Sequence, residues 1–107
     1  MSVAFRSINP KNNKLVKTYE AISSVELESK IDSAYNRYRW KHSKGHGDLS
    51  RRYQKLGFLK QILAENRTRY ASLITQEMGK PIKQAEGEID KSISHIDYYI
   101  NNSTRFL

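Results

Sequence analysis

Few residues of this 107-residue chain have the type and spacing that catalysis or metal binding requires. The chain contains no cysteine, which excludes a disulfide framework, a thiolate metal site and a cysteine nucleophile within it. His42 and His46 stand four residues apart, as two metal ligands on one helix face do. However, Gly45 and Gly47 predict a loop here, and no third ligand is suitably spaced. We therefore expect both histidines to lie in a solvated loop.

Three carboxylates, Glu86, Glu88 and Asp90, are close enough in sequence to suggest acid–base catalysis. Their spacing of two residues spreads them around a helix, so they are not expected to converge on a substrate. We interpret them as a solvated acidic face in the N-terminal half of a helix, where negative charge favours the helix dipole. His95, farther along, is interpreted as a surface or partly packed histidine. We assign no catalytic, cofactor-binding or metal-binding residue, and no glycine-rich phosphate loop is present.

The formal net charge of +8 is concentrated in residues 1–60, which hold 13 Lys and Arg against 5 Asp and Glu. Such a surface attracts nucleic acid or anionic membranes, but it also simply keeps proteins soluble. Aromatic residues interleave with arginines and could stack on bases, yet at helical spacing aromatic residues more often pack. This group comprises Tyr35, Tyr38, Trp40, Tyr53, Tyr70, Tyr98 and Tyr99, with Arg37, Arg39, Arg51 and Arg52. No nucleic-acid-binding motif is recognised.

Residues 3–20 are predicted to form a β-hairpin. Alternating apolar residues precede a turn-forming sequence at residues 9–13, and a second β-type run begins at Leu15. Pro10 cannot donate to a strand ladder and asparagine tolerates positive φ, so the turn is predicted while the strand register is not. No apolar run approaches the roughly 20 residues of a membrane span, and no signal peptide is evident. We expect a soluble, cytoplasmic protein.

Four amphipathic helices are predicted after the hairpin. Ser23 and Glu26 fit a capping box, and apolar residues at helical spacing continue to about residues 40–43. The second helix is predicted from about Asp48, its candidate cap, to Asn66.

The third and fourth helices meet at a glycine and a proline. The third helix is predicted over residues 67–78, and Gly79 takes the left-handed conformation that ends it. Pro81 falls in the first turn of the fourth helix, where its missing N–H costs nothing.

The order of these elements, together with several short strings, resembles the N-terminal region of aldehyde dehydrogenases. The strings are INP at 8–10, EMGKPI at 77–82, EGEI at 86–89, DYY at 97–99 and RFL at 105–107. The similarity spans nearly the whole chain, and EMGKP and EGEI resemble the succinate-semialdehyde type most. The expected fold is mostly α with an N-terminal β-hairpin. Residues 1–107 would form a single partial domain, with the hairpin at 3–20 and a helical region at 23–107, resembling part of a Rossmann-type α/β cofactor domain.

The resemblance also implies a chemistry, the NAD(P)-dependent oxidation of an aldehyde to a carboxylic acid. In the family a cysteine thiolate attacks the aldehyde, hydride leaves to nicotinamide, and a glutamate-activated water hydrolyses the thioester. Those residues lie downstream of the matching segment, so none is carried over. We therefore expect a truncated enzyme that binds neither NAD nor NADP by itself and is inactive alone for lack of the cysteine.

The alternative is a small basic helical interaction module, with nucleic acid as one candidate partner. In the resembled enzymes these helices pack on a sheet formed mostly by later sequence, so their apolar stripes need other cover here. The stripes comprise Leu56, Leu59 and Leu63, and Ile82, Ile89, Ile93 and Ile96. We expect the missing remainder of the enzyme or self-association to supply that cover, and we expect no membrane partner.

Overall fold

The computed structural model describes residues 4–43 and 49–107, and it confirms a hairpin followed by four helices. Strands β1 (Ala4–Ile8) and β2 (Leu15–Glu20) pair antiparallel. The helices are α1 (Ser24–Ser43), α2 (Leu49–Glu65), α3 (Arg67–Met78) and α4 (Ile82–Phe106). The described chain is therefore mostly α with an N-terminal hairpin, as predicted.

Asparagine residues shape the turn of the hairpin. The side-chain oxygens of Asn9 and Asn12 each accept a hydrogen bond from a backbone N–H two residues farther on, at 2.9 and 3.0 Å. Asn13 has a φ of 56°, in the left-handed region that asparagine tolerates. With the turn in this form, Phe5 lies opposite Tyr19 in the ladder. This register is what the sequence pattern left open.

Helix α1 begins at the predicted cap. The Ser23 hydroxyl accepts a hydrogen bond from the backbone N–H of Glu26 at 3.1 Å, and the Ser23 carbonyl accepts one from Leu27 at 2.9 Å. The Glu26 carboxylate lies 3.3 Å from Lys30 Nζ, one helical turn farther on. All side chains of residues 24–40 are exposed. The Ser23 cap and the Glu26–Lys30 ion pair therefore stabilise α1 more than burial against other elements does.

The core lies where α3 packs against α4, and α2 packs against α4 beside it. Ala71, Ala85 and Ile89 are the buried hydrophobic side chains of the described residues. Partly buried Leu63, Tyr70, Ile74 and Ile93 surround them. Alanines let two helices approach closely but bury little apolar surface. The radius of gyration, 18.5 Å, exceeds the value of about 13 Å for a compact domain of this length.

The stripes predicted for α2 and α4 are only partly covered by this packing. Ile89 is buried, whereas Leu59 and Ile82 remain 44% and 42% exposed. The other members, Leu56, Leu63, Ile93 and Ile96, are partly buried. Contacts among the three helices therefore cover only part of their apolar surface.

The predicted start of the fourth helix differs from the structure, and the predicted start of the second helix lies outside the described residues. Pro81 precedes α4 and is not in its first turn, because its ψ of 140° is extended and not helical. Its carbonyl nevertheless accepts hydrogen bonds from the N–H groups of Gln84 and Ala85, both at 3.0 Å. Asp48, the cap predicted for α2, lies outside the described residues.

Candidate functional site

The string EMGKPI at residues 77–82 forms the turn between α3 and α4. Gly79 has a φ of 71°, and its N–H donates to the Thr75 carbonyl at 3.0 Å, which ends α3 as predicted. Pro10 of the hairpin lies against this glycine, since a Cβ on Gly79 would stand 3.0 Å from Pro10 Cγ. Glycine is therefore required here by its backbone conformation and by the approach of the hairpin.

The hairpin docks on the last turn of α3. The Ser7 hydroxyl donates to Glu77 Oε1 at 2.7 Å. An open cavity of about 380 Å³ lies between the hairpin turn and the end of α3. Its lining comprises Asn9, Pro10, Lys11, Thr75, Gln76, Met78 and Gly79. Thr75 Oγ1 is buried and has no hydrogen-bond partner in the described structure. Among the described residues of this lining, Lys11 is the only charged one, so they do not bring together an acid and a base.

Arg67, in the first turn of α3, binds two carboxylates of α4. Its Nε and one terminal nitrogen donate to the two oxygens of Asp90, each at 2.7 Å. The other terminal nitrogen lies 3.3 Å from Glu86 Oε1. The hydrogen bonds from Arg67 lower the pKa of Asp90, and the same bonds raise the pKa of the guanidinium. All three groups are partly or fully exposed, so this cluster orients α3 on α4 and contributes modestly to stability.

The cluster corrects the sequence interpretation of the α4 carboxylates. Glu86 and Asp90 are one turn apart and converge on Arg67, whereas the spacing of two residues had suggested that the acids spread apart. Glu88 accepts a hydrogen bond from Lys80 Nζ. The spacing of four between Glu86 and Asp90 was the available signal, and Arg67 is the residue that sequence reasoning missed. Carboxylates paired with cations in this way suit helix packing better than proton transfer.

Among the residues that the structure describes, His95 does not add a site to this arrangement. His95 is exposed on α4, as predicted. His42 lies in the last turn of α1 and not in the predicted loop, because the helix continues to Ser43. Its side chain, His46 and the rest of the predicted loop lie outside the described residues. In residues 4–43 and 49–107, no three His, Cys, Asp or Glu side chains form a group that could hold a metal ion. Across this same part of the chain, no helix has the length and apolar character needed to cross a membrane.

Aromatic side chains of α1 are exposed, contrary to the expectation that they pack. Tyr35 is 56% exposed and Trp40 is 39% exposed. Arg37 stacks over the Trp40 ring at 4.7 Å from its centre, and Arg39 over the Tyr35 ring at 5.9 Å. Tyr70, on α3, does pack against the core. Tyr98 and Tyr99 of α4 are also exposed, at 51% and 56%, although α4 takes part in the main packing. Among the described residues, α1 takes no part in the main contacts among α2, α3, α4 and β1.

Comparisons with known proteins identify the family. The aldehyde dehydrogenase family model matches residues 2–107. A Synechocystis sp. protein, named as a probable NADP(+) succinate-semialdehyde dehydrogenase, is 33% identical over 105 residues, which cover 98% of this chain and 22% of the relative. An NADP(+) succinate-semialdehyde dehydrogenase of Deinococcus radiodurans is 32% identical over 104 residues, covering 96% and 21%. A lactaldehyde dehydrogenase of Methanocaldococcus jannaschii is 30% identical over 86 residues, covering 80% and 18%.

The chain thus spans about a fifth of the length of the curated relatives that it matches. The matched segment contains the docked hairpin, the α3–α4 turn and the Arg67 cluster. Because the family model covers nearly every residue, this chain belongs to the aldehyde dehydrogenase family.

Proposed function

We propose that this chain is the N-terminal segment of an NAD(P)-dependent dehydrogenase that oxidises succinate semialdehyde to the carboxylic acid. The observation that carries the proposal is the family match over residues 2–107. The substrate and cofactor are supported by the names of the Synechocystis and Deinococcus relatives, both NADP(+) succinate-semialdehyde dehydrogenases. In this proposal the reacting groups belong to the other part of the enzyme, since the chain contains no cysteine and corresponds to about a fifth of those relatives.

In this proposal the described residues do not form a site for a nicotinamide dinucleotide. The sequence has no glycine-rich phosphate loop, and the cavity beside Gly79 adjoins the C-terminal end of α3, where backbone carbonyls disfavour phosphate. We therefore assign no cofactor contact to this chain, and cofactor binding falls to the remainder of the enzyme.

The part assigned to this segment is structural. Ser7 ties the hairpin to the end of α3, and Arg67 ties α3 to α4. Apolar side chains on α2 and α4, including Leu59 and Ile82, remain partly exposed and are available to pack against further protein. In this proposal the segment is a platform on which the rest of the enzyme folds.

Joining the chain to the remaining four fifths of the Deinococcus relative tests this role. We expect NADP(+) reduction with succinate semialdehyde from the fusion, and none from the 107-residue chain, which has no thiol for acyl transfer. The control is the same remainder without the segment, which we expect to be inactive or insoluble. Turnover by the chain alone, with mass spectrometry excluding a contaminating dehydrogenase, contradicts the proposal.

A test of the proposed substrate requires the sequence that follows this segment in the protein's own gene. We expect the DNA that follows to encode, in the same or a shifted frame, a remainder containing cysteine. The protein restored from both parts should show a higher kcat/KM for succinate semialdehyde than for lactaldehyde. A higher kcat/KM for lactaldehyde would contradict the proposed substrate and favour the substrate named for the Methanocaldococcus jannaschii relative.

The second candidate is a basic helical interaction module that binds nucleic acid. Its support is the positive charge of residues 1–60 and the arginines that lie beside exposed rings on α1. Fluorescence anisotropy with a labelled single-stranded oligonucleotide tests it. Binding that weakens steeply as salt rises supports this candidate, because phosphate contacts release counterions. No binding at low salt contradicts it.

A further inference from the structure

The hairpin rests on the end of α3 through a hydrogen bond and a close apolar approach. The Ser7 hydroxyl donates to Glu77 Oε1 at 2.7 Å, and Pro10 lies against Gly79, which ends the helix. Of the two strands, β1 is the one that packs on α3. Both contacts fall within residues 77–79, so they form one small docking region.

Little apolar surface is buried between the hairpin and the helices. Phe5 and Leu15 are 61% and 58% exposed, and the described residues of the hairpin include no buried hydrophobic side chain. Val16 is partly buried. The open cavity of about 380 Å³ beside the hairpin turn shows that the two surfaces are incompletely packed. Separating the hairpin from α3 therefore exposes little additional apolar surface, and burial contributes little to docking.

The backbone hydrogen bonds of the hairpin lie within the hairpin itself. The two strands pair with each other, and in the turn the Asn9 N–H donates to the Lys14 carbonyl at 2.9 Å. The Asn13 N–H donates to the Asn9 carbonyl at 2.8 Å. Undocking breaks none of these bonds. However, a two-stranded hairpin without further packing is only marginally stable in water, so a released hairpin opens its own ladder readily.

The buried hydrophobic side chains of the described chain, Ala71, Ala85 and Ile89, belong to α3 and α4. The core among the helices therefore does not depend on the hairpin. We propose that the hairpin is a detachable strap, which opens from the end of α3 while α2, α3 and α4 stay packed. The Ser7–Glu77 hydrogen bond is its latch, and opening uncovers the turn between α3 and α4. The inference does not depend on the proposed function or on enzymatic activity.

Amide hydrogen exchange, followed by mass spectrometry on the 107-residue chain, tests the separate opening. We expect amides of β1 and β2 to exchange through an opening that is more populated than the one that exposes α3 and α4. Exchange in the strands should also depend less steeply on urea, because less surface is exposed. Equal populations and equal urea dependences would mean that the hairpin opens only by global unfolding, which overturns the proposal. Strand amides that exchange as fast as those of an unstructured peptide also overturn it, because the hairpin is then not docked.

A mild substitution in the core distinguishes the two openings. Ile89→Val removes one buried methyl group and destabilises the closed and strap-open forms equally, since both retain the packed helices. We expect exchange in α3 and α4 to rise about twofold to tenfold, and exchange in β1 and β2 to stay within about twofold. Circular dichroism should show unchanged helix content. A parallel rise in the strands and the helices overturns the proposal.

Paired substitutions test the latch. Ser7→Ala should raise exchange in the strands about threefold to tenfold, because a hydrogen bond to a carboxylate is lost. In a chain that already carries Glu77→Ala, the same change should have less than about a twofold effect, since the acceptor is absent. An equal effect of Ser7→Ala in both backgrounds would assign the change to the strand itself and overturn the latch.

The matched control removes a hydroxyl from the other face of the hairpin. Thr18 pairs with Arg6, the neighbour of Ser7, and successive side chains of a strand point to opposite faces. Thr18→Val should therefore leave exchange in the strands within about twofold. A rise as large as that caused by Ser7→Ala would show that any hydroxyl of the hairpin has this effect, which contradicts a latch at Ser7.

Discussion

Arg67 and Asp90 form a two-point ion pair between the first turn of α3 and the first half of α4, with both N···O distances at 2.7 Å. The planar guanidinium offers two parallel donors to the carboxylate, a geometry that the single ammonium of lysine does not reproduce. Glu86 supplies a second carboxylate to the same cation. The orientation of the two helices that share the small core therefore depends partly on one arginine.

Removing the Asp90 charge should destabilise the fold in a pH-dependent way. Hydrogen bonds from Arg67 lower the folded-state pKa of Asp90 below its unfolded value of about 3.9. The pair therefore stabilises the fold above that pH, and this contribution is lost as pH falls through the lower folded-state value. We expect Asp90→Asn to lower the thermal midpoint of the far-UV circular dichroism signal at pH 7, and the difference to shrink below about pH 4.

The control for this prediction is Glu20→Gln, which removes an exposed carboxylate on β2. Its midpoint should stay close to that of the unmodified chain at every pH. An Asp90→Asn difference of constant size from pH 7 to about pH 3 would contradict the role of the ion pair.

Adding a methyl group at Gly79 should destabilise the α3–α4 turn. Alanine at a φ of 71° is strained, and its Cβ would press on Pro10 Cγ. We expect Gly79→Ala to cost about 1–2 kcal/mol of unfolding free energy in urea titrations. Adding Pro10→Ala should recover part of this loss by removing Cγ. If the double variant recovers nothing, backbone strain alone explains the effect.

Gly57→Ala should have the opposite effect. Gly57 lies in the middle of α2, and a Cβ there meets no atom within 4 Å. Alanine loses less backbone entropy on folding than glycine, so we expect a gain of about 0.5–1 kcal/mol and higher helix content. Gly87→Ala in α4, with equally open surroundings, should behave similarly. A loss of stability in Gly57→Ala would contradict this prediction, because it would mean that the added methyl group meets other atoms and does not enter open space.

The isolated chain should be helical but loosely packed. Each large apolar side chain left in water forgoes about 1.5–3 kcal/mol, and a whole domain has only about 5–15 kcal/mol of net stability. With Ala71, Ala85 and Ile89 as its buried hydrophobic residues, the described core is small. We expect a broad thermal transition and binding of the dye ANS. A sharp cooperative melt without dye binding would instead indicate a self-sufficient domain.

Local signals in the sequence predicted the elements of this fold well. Ser23 provides the α1 cap, Gly79 ends α3, and the asparagine-rich segment at residues 9–13 makes the turn. Each signal works because the responsible contact lies within about one helical turn of the residue itself. The family, too, was recognisable from short strings such as the one at residues 77–82, and the match over residues 2–107 confirms it.

Contacts between elements were decided only in three dimensions. The convergence of Glu86 and Asp90 on Arg67 joins residues 19 or more positions apart in sequence, and their own spacing does not reveal a partner on another helix. The aromatic residues of α1 illustrate the same limit. Helical periodicity predicts that Tyr35 shares an apolar face, but burial depends on whether a second surface meets that face, which is a property of the packing and not of the helix.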